Sequence, residues 1–121
     1  MKIETEIPDQ RIEDLLVSAF EGGVGYWAQI VGYVLPPGVL KPEVAPYAVL
    51  PLREGCAVLV RQTDEQKAPK LTLDRDAIAK GLTLMAQRYP RHFSDFMSET
   101  DDADTGDVFL QCCLLGEIVY Q

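Results

Sequence analysis

The run Val24-Gly25-Tyr26-Trp27-Ala28-Gln29-Ile30-Val31-Gly32-Tyr33-Val34-Leu35, closed by Pro36-Pro37-Gly38, decides the fold class. Its aromatic and β-branched residues suit a pleated, half-buried surface, and the prolines end the element. It reads as a strand. A second helix is the competing reading, because tertiary context overrides propensity in an apolar stretch this short. On the strand reading Tyr26 and Trp27 point to opposite faces, one toward the core and one toward solvent.

Upstream, Ile12, Leu15, Leu16, Ala19 and Phe20 recur at helical spacing within residues 9–21. Pro8 and Asp9 suit the helix start, and Gly22-Gly23 suit a left-handed exit. Downstream, residues 45–53 and 56–63 flank Glu54-Gly55 and predict a hairpin, with Pro46 and Pro51 demoting its first arm to an edge. Residues 64–69 form a polar loop, and residues 70–73 suit a short further strand. Ala77, Ile78, Gly81, Leu82, Met85 and Tyr89 then mark a helix from Asp74 to the brink of Pro90. Residues 91–98 add one or two helical turns on Phe93, Phe96 and Met97. Residues 105–120 are apolar almost all round, which predicts a buried helix. The expected architecture is one α+β domain over residues 1–121. It has a small antiparallel sheet of three or four strands against an N-terminal helix and two or three C-terminal helices.

Composition narrows the function. The 121 residues carry 19 acids and 11 Lys or Arg, a net charge of −8, with 47% hydrophobic residues. Such a chain buries a real core. The acidic balance argues against direct binding of nucleic acid or an anionic membrane, since both need a basic surface. The longest apolar runs fall short of the ~20 residues that span a bilayer. An N-terminus carrying Glu4 and Glu6 lacks the pattern of a signal peptide. Cys56, Cys112 and Cys113 read as reduced, buried thiols without metal or redox spacing, and His92 as a surface histidine. No catalytic signature is present, so neither an enzyme nor a cofactor or metal is expected.

Charge is unevenly distributed: residues 1–21 carry −4, residues 22–91 carry +3, and residues 92–121 carry −7 with no Lys or Arg. Asp95, Glu99, Asp101, Asp102, Asp104 and Asp107 cluster around a helix start. They either favour the positive end of that helix or form a surface for a basic partner. An EF-hand reading fails, because glycine and the closing glutamate are misplaced. Glu21-Gly22-Gly23-Val24-Gly25 is no phosphate loop, since it ends a helix instead of opening one. Gln111 and Glu117, polar positions on an otherwise apolar helix, either line a cleft or complete an internal network. An alternative ligand site combines Tyr26 or Trp27 for stacking with Arg53 or Arg61 for phosphate, together with Gln111 and Glu117.

The segment Glu21-Gly22-Gly23-Val24-Gly25-Tyr26-Trp27 and the ending Asp102-Ala103-Asp104-Thr105-Gly106-Asp107 through Gln111 to Gly116-Glu117-Ile118-Val119-Tyr120 resemble a family of small bacteriophage and prophage proteins. That family carries an EGG-x-x-YW turn and a DAD…Q…GE-x-VY ending; Thr72-Leu73-Asp74 fits its middle element loosely. No enzymatic activity is established for that family, so the resemblance implies phage origin more than mechanism. It leads to the expectation of a counter-defence, anti-CRISPR-like inhibitor in the host bacterial cytoplasm. Residues 95–107 would occlude the nucleic-acid-binding surface of a host defence protein. The alternatives are a protein that sequesters a small nucleotide signal and a phage structural or morphogenetic protein. A homodimer is compatible with each.

Overall fold

The computed structural model describes residues 7–64 and 67–121. The acidic N-terminus at residues 1–6, and residues 65–66 of the expected polar loop, lie outside the described residues. Helix α1 (Asp9–Ser18) buries Ile12, Leu15 and Leu16 along its apolar stripe and runs into one wider π-helical turn, Ala19–Gly23. Pro8, not Asp9, occupies the capping position. Asp9 sits in the first turn and pairs with Arg75 at 3.2 Å.

The deciding stretch is a strand over its second half. Residues 24–27 form a turn in which Trp27 N and Ala28 N both donate to Val24 O, and β1 follows at Ala28–Val34. It pairs antiparallel with β2 (Ala57–Gln62), which pairs antiparallel with β3 (Leu71–Leu73), giving the order β1-β2-β3. Val31 is an extra residue in the ladder, because Ile30 lies opposite Val60 while Gly32 lies opposite Leu59. Side chains alternate along a strand, so this bulge puts Ile30 and Tyr33 on the same face, opposite Val60 and Val58. Val58, Val60 and Leu73 are fully buried on that face.

The expected hairpin between residues 45–53 and 56–63 is not formed. Its first arm is a helical turn, α2 (Pro46–Val49), continued by a 3-10 turn, Leu50–Leu52. The prolines decide this: Pro46 is the first residue of α2 and Pro51 the second of the 3-10 turn, positions in a first turn where a missing N–H costs nothing. Glu54-Gly55 does turn the chain, with Gly55 at φ 76°. It joins that 3-10 turn to β2, whose partners are β1 and β3 and not residues 45–53.

Helix α3 (Arg75–Arg88) is capped by Asp74, whose carboxylate accepts from Ala77 N at 2.9 Å. Pro90 opens α4 (Pro90–Met97). The last helix, α5 (Ala103–Leu114), is packed by α3, α1, α4 and the π turn, as its lack of a polar face predicts. It ends earlier than the expected residue 120. Leu115 N and Gly116 N both return to Gln111 O, and Gly116 at φ 81° reverses the chain. Residues 117–121 then run back beside α5. The result is an α+β fold with an N-terminal helix and C-terminal helices around a three-stranded antiparallel sheet. Cys56, Cys112 and Cys113 are buried free thiols, and burial pushes Cys112 up to about 11 and Cys113 well above the ordinary thiol value. No described helix is long and apolar enough to cross a membrane.

Candidate functional site

The exit of α1 and the head of α5 approach at backbone distance, and glycine permits it. A Cβ on Gly106 would lie 2.9 Å from Ala19 Cα and N, and one on Gly23 would lie 2.7 Å from Ala103 O. Neither Gly22 nor Gly23 adopts positive φ, so the expected left-handed exit is replaced by a different cause, close packing. This approach sets the turn bearing Tyr26 and Trp27 beside the first turns of α5.

Asp107 is the centre of what results. Its Oδ2 accepts from Tyr26 Oη at 2.5 Å; its Oδ1 accepts from Trp27 Nε1 at 2.8 Å and Gln111 Nε2 at 2.9 Å. Tyr26 and Trp27 thus converge on one carboxylate instead of opposing each other, although Trp27 is buried and Tyr26 is 52% exposed. Gln111 is fully buried and uses its whole amide. Nε2 donates to Asp107 and to Tyr120 O, and Oε1 accepts from Val119 N and Tyr120 N at 2.7 and 2.8 Å. It clips the C-terminal segment to α5. Tyr120 then stacks on Trp27, with centroids 5.4 Å apart and planes 12° apart, and its hydroxyl bonds to Gln62 and Asp64.

Above this network lies an open cleft of about 500 Å³ lined by Gly23, Tyr26, His92, Asp104, Asp107 and Tyr120 among others. Desolvation of the Tyr26 hydroxyl, its hydrogen bond to Asp107 and the nearby charges of Asp107 and Asp104 push it from 10.0 up to about 12. Tyr47 also rises to about 12, through burial and Glu21. A raised phenol favours the folded state below its unfolded value of 10.0, and that advantage is lost as pH rises through about 12. In an ultraviolet alkaline titration, Tyr26 and Tyr47 are therefore expected to ionise late, at about 12 instead of 10.0. Tyr26→Phe should remove part of the late amplitude; an unchanged late phase would refute this assignment.

The structure separates the acids that the sequence grouped. Asp101 has an 8% exposed side chain and pairs with Arg11 at 2.9 Å, and Glu99, 72% exposed, lies 3.6 Å from the same guanidinium. Asp102 caps α5 by accepting from Thr105 N at 3.1 Å. Asp107 serves the network, Asp104 is exposed in the first turn of α5, and Asp95 is half-buried on α4. Gln111 both completes an internal network and lines the cleft. Glu117 is exposed on the reversing segment. Trp27 has no face free for a base, and Arg53 lines a different cavity with Thr72 and Arg75. Arg61 sits on β2 opposite Gln29, its Nε buried without a hydrogen-bond partner. Neither arginine lines the cleft beside Tyr26.

Sequence reasoning placed His92 on the surface without a role. It is half-buried at the cleft, with Nδ1 3.4 Å from Thr105 Oγ1. Among the described residues no group of three or more His, Cys, Asp and Glu side chains is arranged to hold a metal ion. No family model, curated protein or solved structure matches the chain.

Proposed function

We propose that the protein is a non-enzymatic binding protein of phage or prophage origin. It acts in the host bacterial cytoplasm as a counter-defence, anti-CRISPR-like inhibitor, and its acidic face around the head of α5 covers a basic nucleic-acid-binding surface of a host protein. The observation that carries this reading is the exposure of Glu99, Asp102 and Asp104 within one turn-and-helix start, in a 30-residue segment free of Lys and Arg. Complementary potentials of this kind speed association and fix orientation. Asp101 is held internally by Arg11, whereas Asp107 serves the internal network and also borders the cleft.

The test combines Glu99→Lys with Asp102→Asn. Asparagine retains the helix cap, so the pair alters charge with little loss of stability. Host proteins captured from bacterial lysate by the wild-type chain at low salt should be released at high salt. The double variant should capture them at least about tenfold less well. Capture that is indifferent to both salt and the substitutions would refute the acidic-face reading.

A further inference from the structure

The chain already contains one built receptor for a guanidinium. Arg11 lies 4.9 Å over the Phe96 ring and donates to Asp101 Oδ1 and Phe96 O, so a ring, a carboxylate and a carbonyl hold it. The cleft beside α5 presents the same chemistry without an arginine. The half-exposed Tyr26 lines it together with Asp104 and Asp107, whose charges both reach the Tyr26 hydroxyl. Asp107 accepts three hydrogen bonds, all from uncharged donors. Among the described residues neither Asp104 nor Asp107 has an ion-pair partner, and no Lys or Arg lines the cavity.

We infer that this cleft receives an arginine side chain of the protein partner, its guanidinium against the Tyr26 ring and hydrogen-bonded to the Asp104 and Asp107 carboxylates. The inference rests on the proposed acidic-face reading and adds to it a single anchoring residue. Arginine suits the site better than lysine. Its planar fork meets two carboxylates at once, it stacks on an aromatic ring, and it sheds water more readily than an ammonium. A cavity of about 500 Å³ accommodates the whole side chain with part of the flanking backbone. Gln111 and Trp27 position the Asp107 carboxylate, so the receptor is preorganised by the network beneath it.

Trp27 is the chain's one tryptophan and is bonded to Asp107, which makes its emission a reporter of the cleft. The purified chain is titrated at low salt with a hexa-arginine peptide and, separately, with hexa-lysine. The expected result is a saturable change in Trp27 emission, with hexa-arginine binding about tenfold more tightly than hexa-lysine. Asp104→Asn, at an exposed position, should weaken hexa-arginine about tenfold and leave the melting temperature unchanged. Tyr26→Leu should erase the arginine preference. Equal, salt-sensitive binding of both peptides that Asp104→Asn leaves intact, but Glu99→Lys with Asp102→Asn weakens, would overturn the arginine receptor and spare the acidic face. No binding of either peptide would overturn both.

Discussion

Asp107→Ala is expected to destabilise the fold by about 2–3 kcal/mol, lowering Tm by roughly 10 °C. The three donors that lose Oδ1 or Oδ2 do not suffer equally. Tyr26 is half exposed, so its hydroxyl recovers a water, and the Gln111 amide keeps Tyr120 O. Trp27 is fully buried, and Asp107 is the partner of its Nε1. A buried N–H left without an acceptor loses its desolvation compensation, and that accounts for most of the expected effect. Asp107→Asn separates hydrogen bonding from charge. The amide oxygen can still serve Trp27 and Gln111, and its NH2 can donate to the Tyr26 oxygen with the hydroxyl turned outward, so the cost should be near 1 kcal/mol. Thermal unfolding followed by Trp27 fluorescence distinguishes the two variants. Equal losses for Ala and Asn would show that charge, and not the indole hydrogen bond, dominates at this position.

The same network joins two segments that lie far apart in the chain. Gly23 and Gly106 let the backbones close, Tyr26 and Trp27 reach Asp107, and Gln111 holds Tyr120 against Trp27. Most of these side chains therefore have structural work at the junction of α1 and α5. Tyr26, Asp104 and the outer edge of the Asp107 carboxylate are the part left facing the cleft. Binding at the cleft and stability of the junction share Asp107, which is why Asp104 is the better residue for testing binding.

Local pattern made the elements legible and left their partners hidden. The stripe of Ile12, Leu15 and Leu16, the helix opening at Asp74 and the burial of an all-round apolar last helix follow from periodicity and turn chemistry alone, and each is found, although that helix covers Ala103–Leu114 and not 105–120. The hairpin failed because strand composition in residues 45–53 competed with two prolines whose fixed φ suits the start of a helical turn. Their missing N–H groups are harmless there and would have broken a ladder. The early end of α5 was signalled by Gly116 but masked by the apolar residues after it, which pack as an extended segment as readily as on a helix face. At the site, the sign of the charge was legible and its allocation was not. Arg11 meets Asp101 across ninety positions of sequence, and nothing local distinguishes that carboxylate from Asp102 or Asp104. Gln111 was the exception: a lone amide on an apolar helix must be satisfied, and it is.

Gly81→Ala is expected to cost about 2 kcal/mol even though alanine is the better helix former. Gly81 lies in the middle of α3, where glycine is disfavoured by roughly 1 kcal/mol relative to alanine, so an exposed site would gain stability from the change. Here the added methyl would sit 2.3 Å from Cys113 Sγ and 2.9 Å from Cys113 Cα and N. The thiol can rotate, but the backbone of α5 cannot yield without moving α5 relative to α3, its most extensive packing partner. That displacement also disturbs α5 where it carries Gln111. The prediction is made sharp by a rescue: Cys113→Ala on the Gly81→Ala background removes the contact with Sγ but leaves those with Cα and N. Stability should therefore recover only in part, by less than about half. Denaturant unfolding of the single and double variants measures this directly. Full recovery would place the clash in the thiol alone; a Gly81→Ala variant more stable than wild type would show that α3 and α5 pack less closely than 2.9 Å requires.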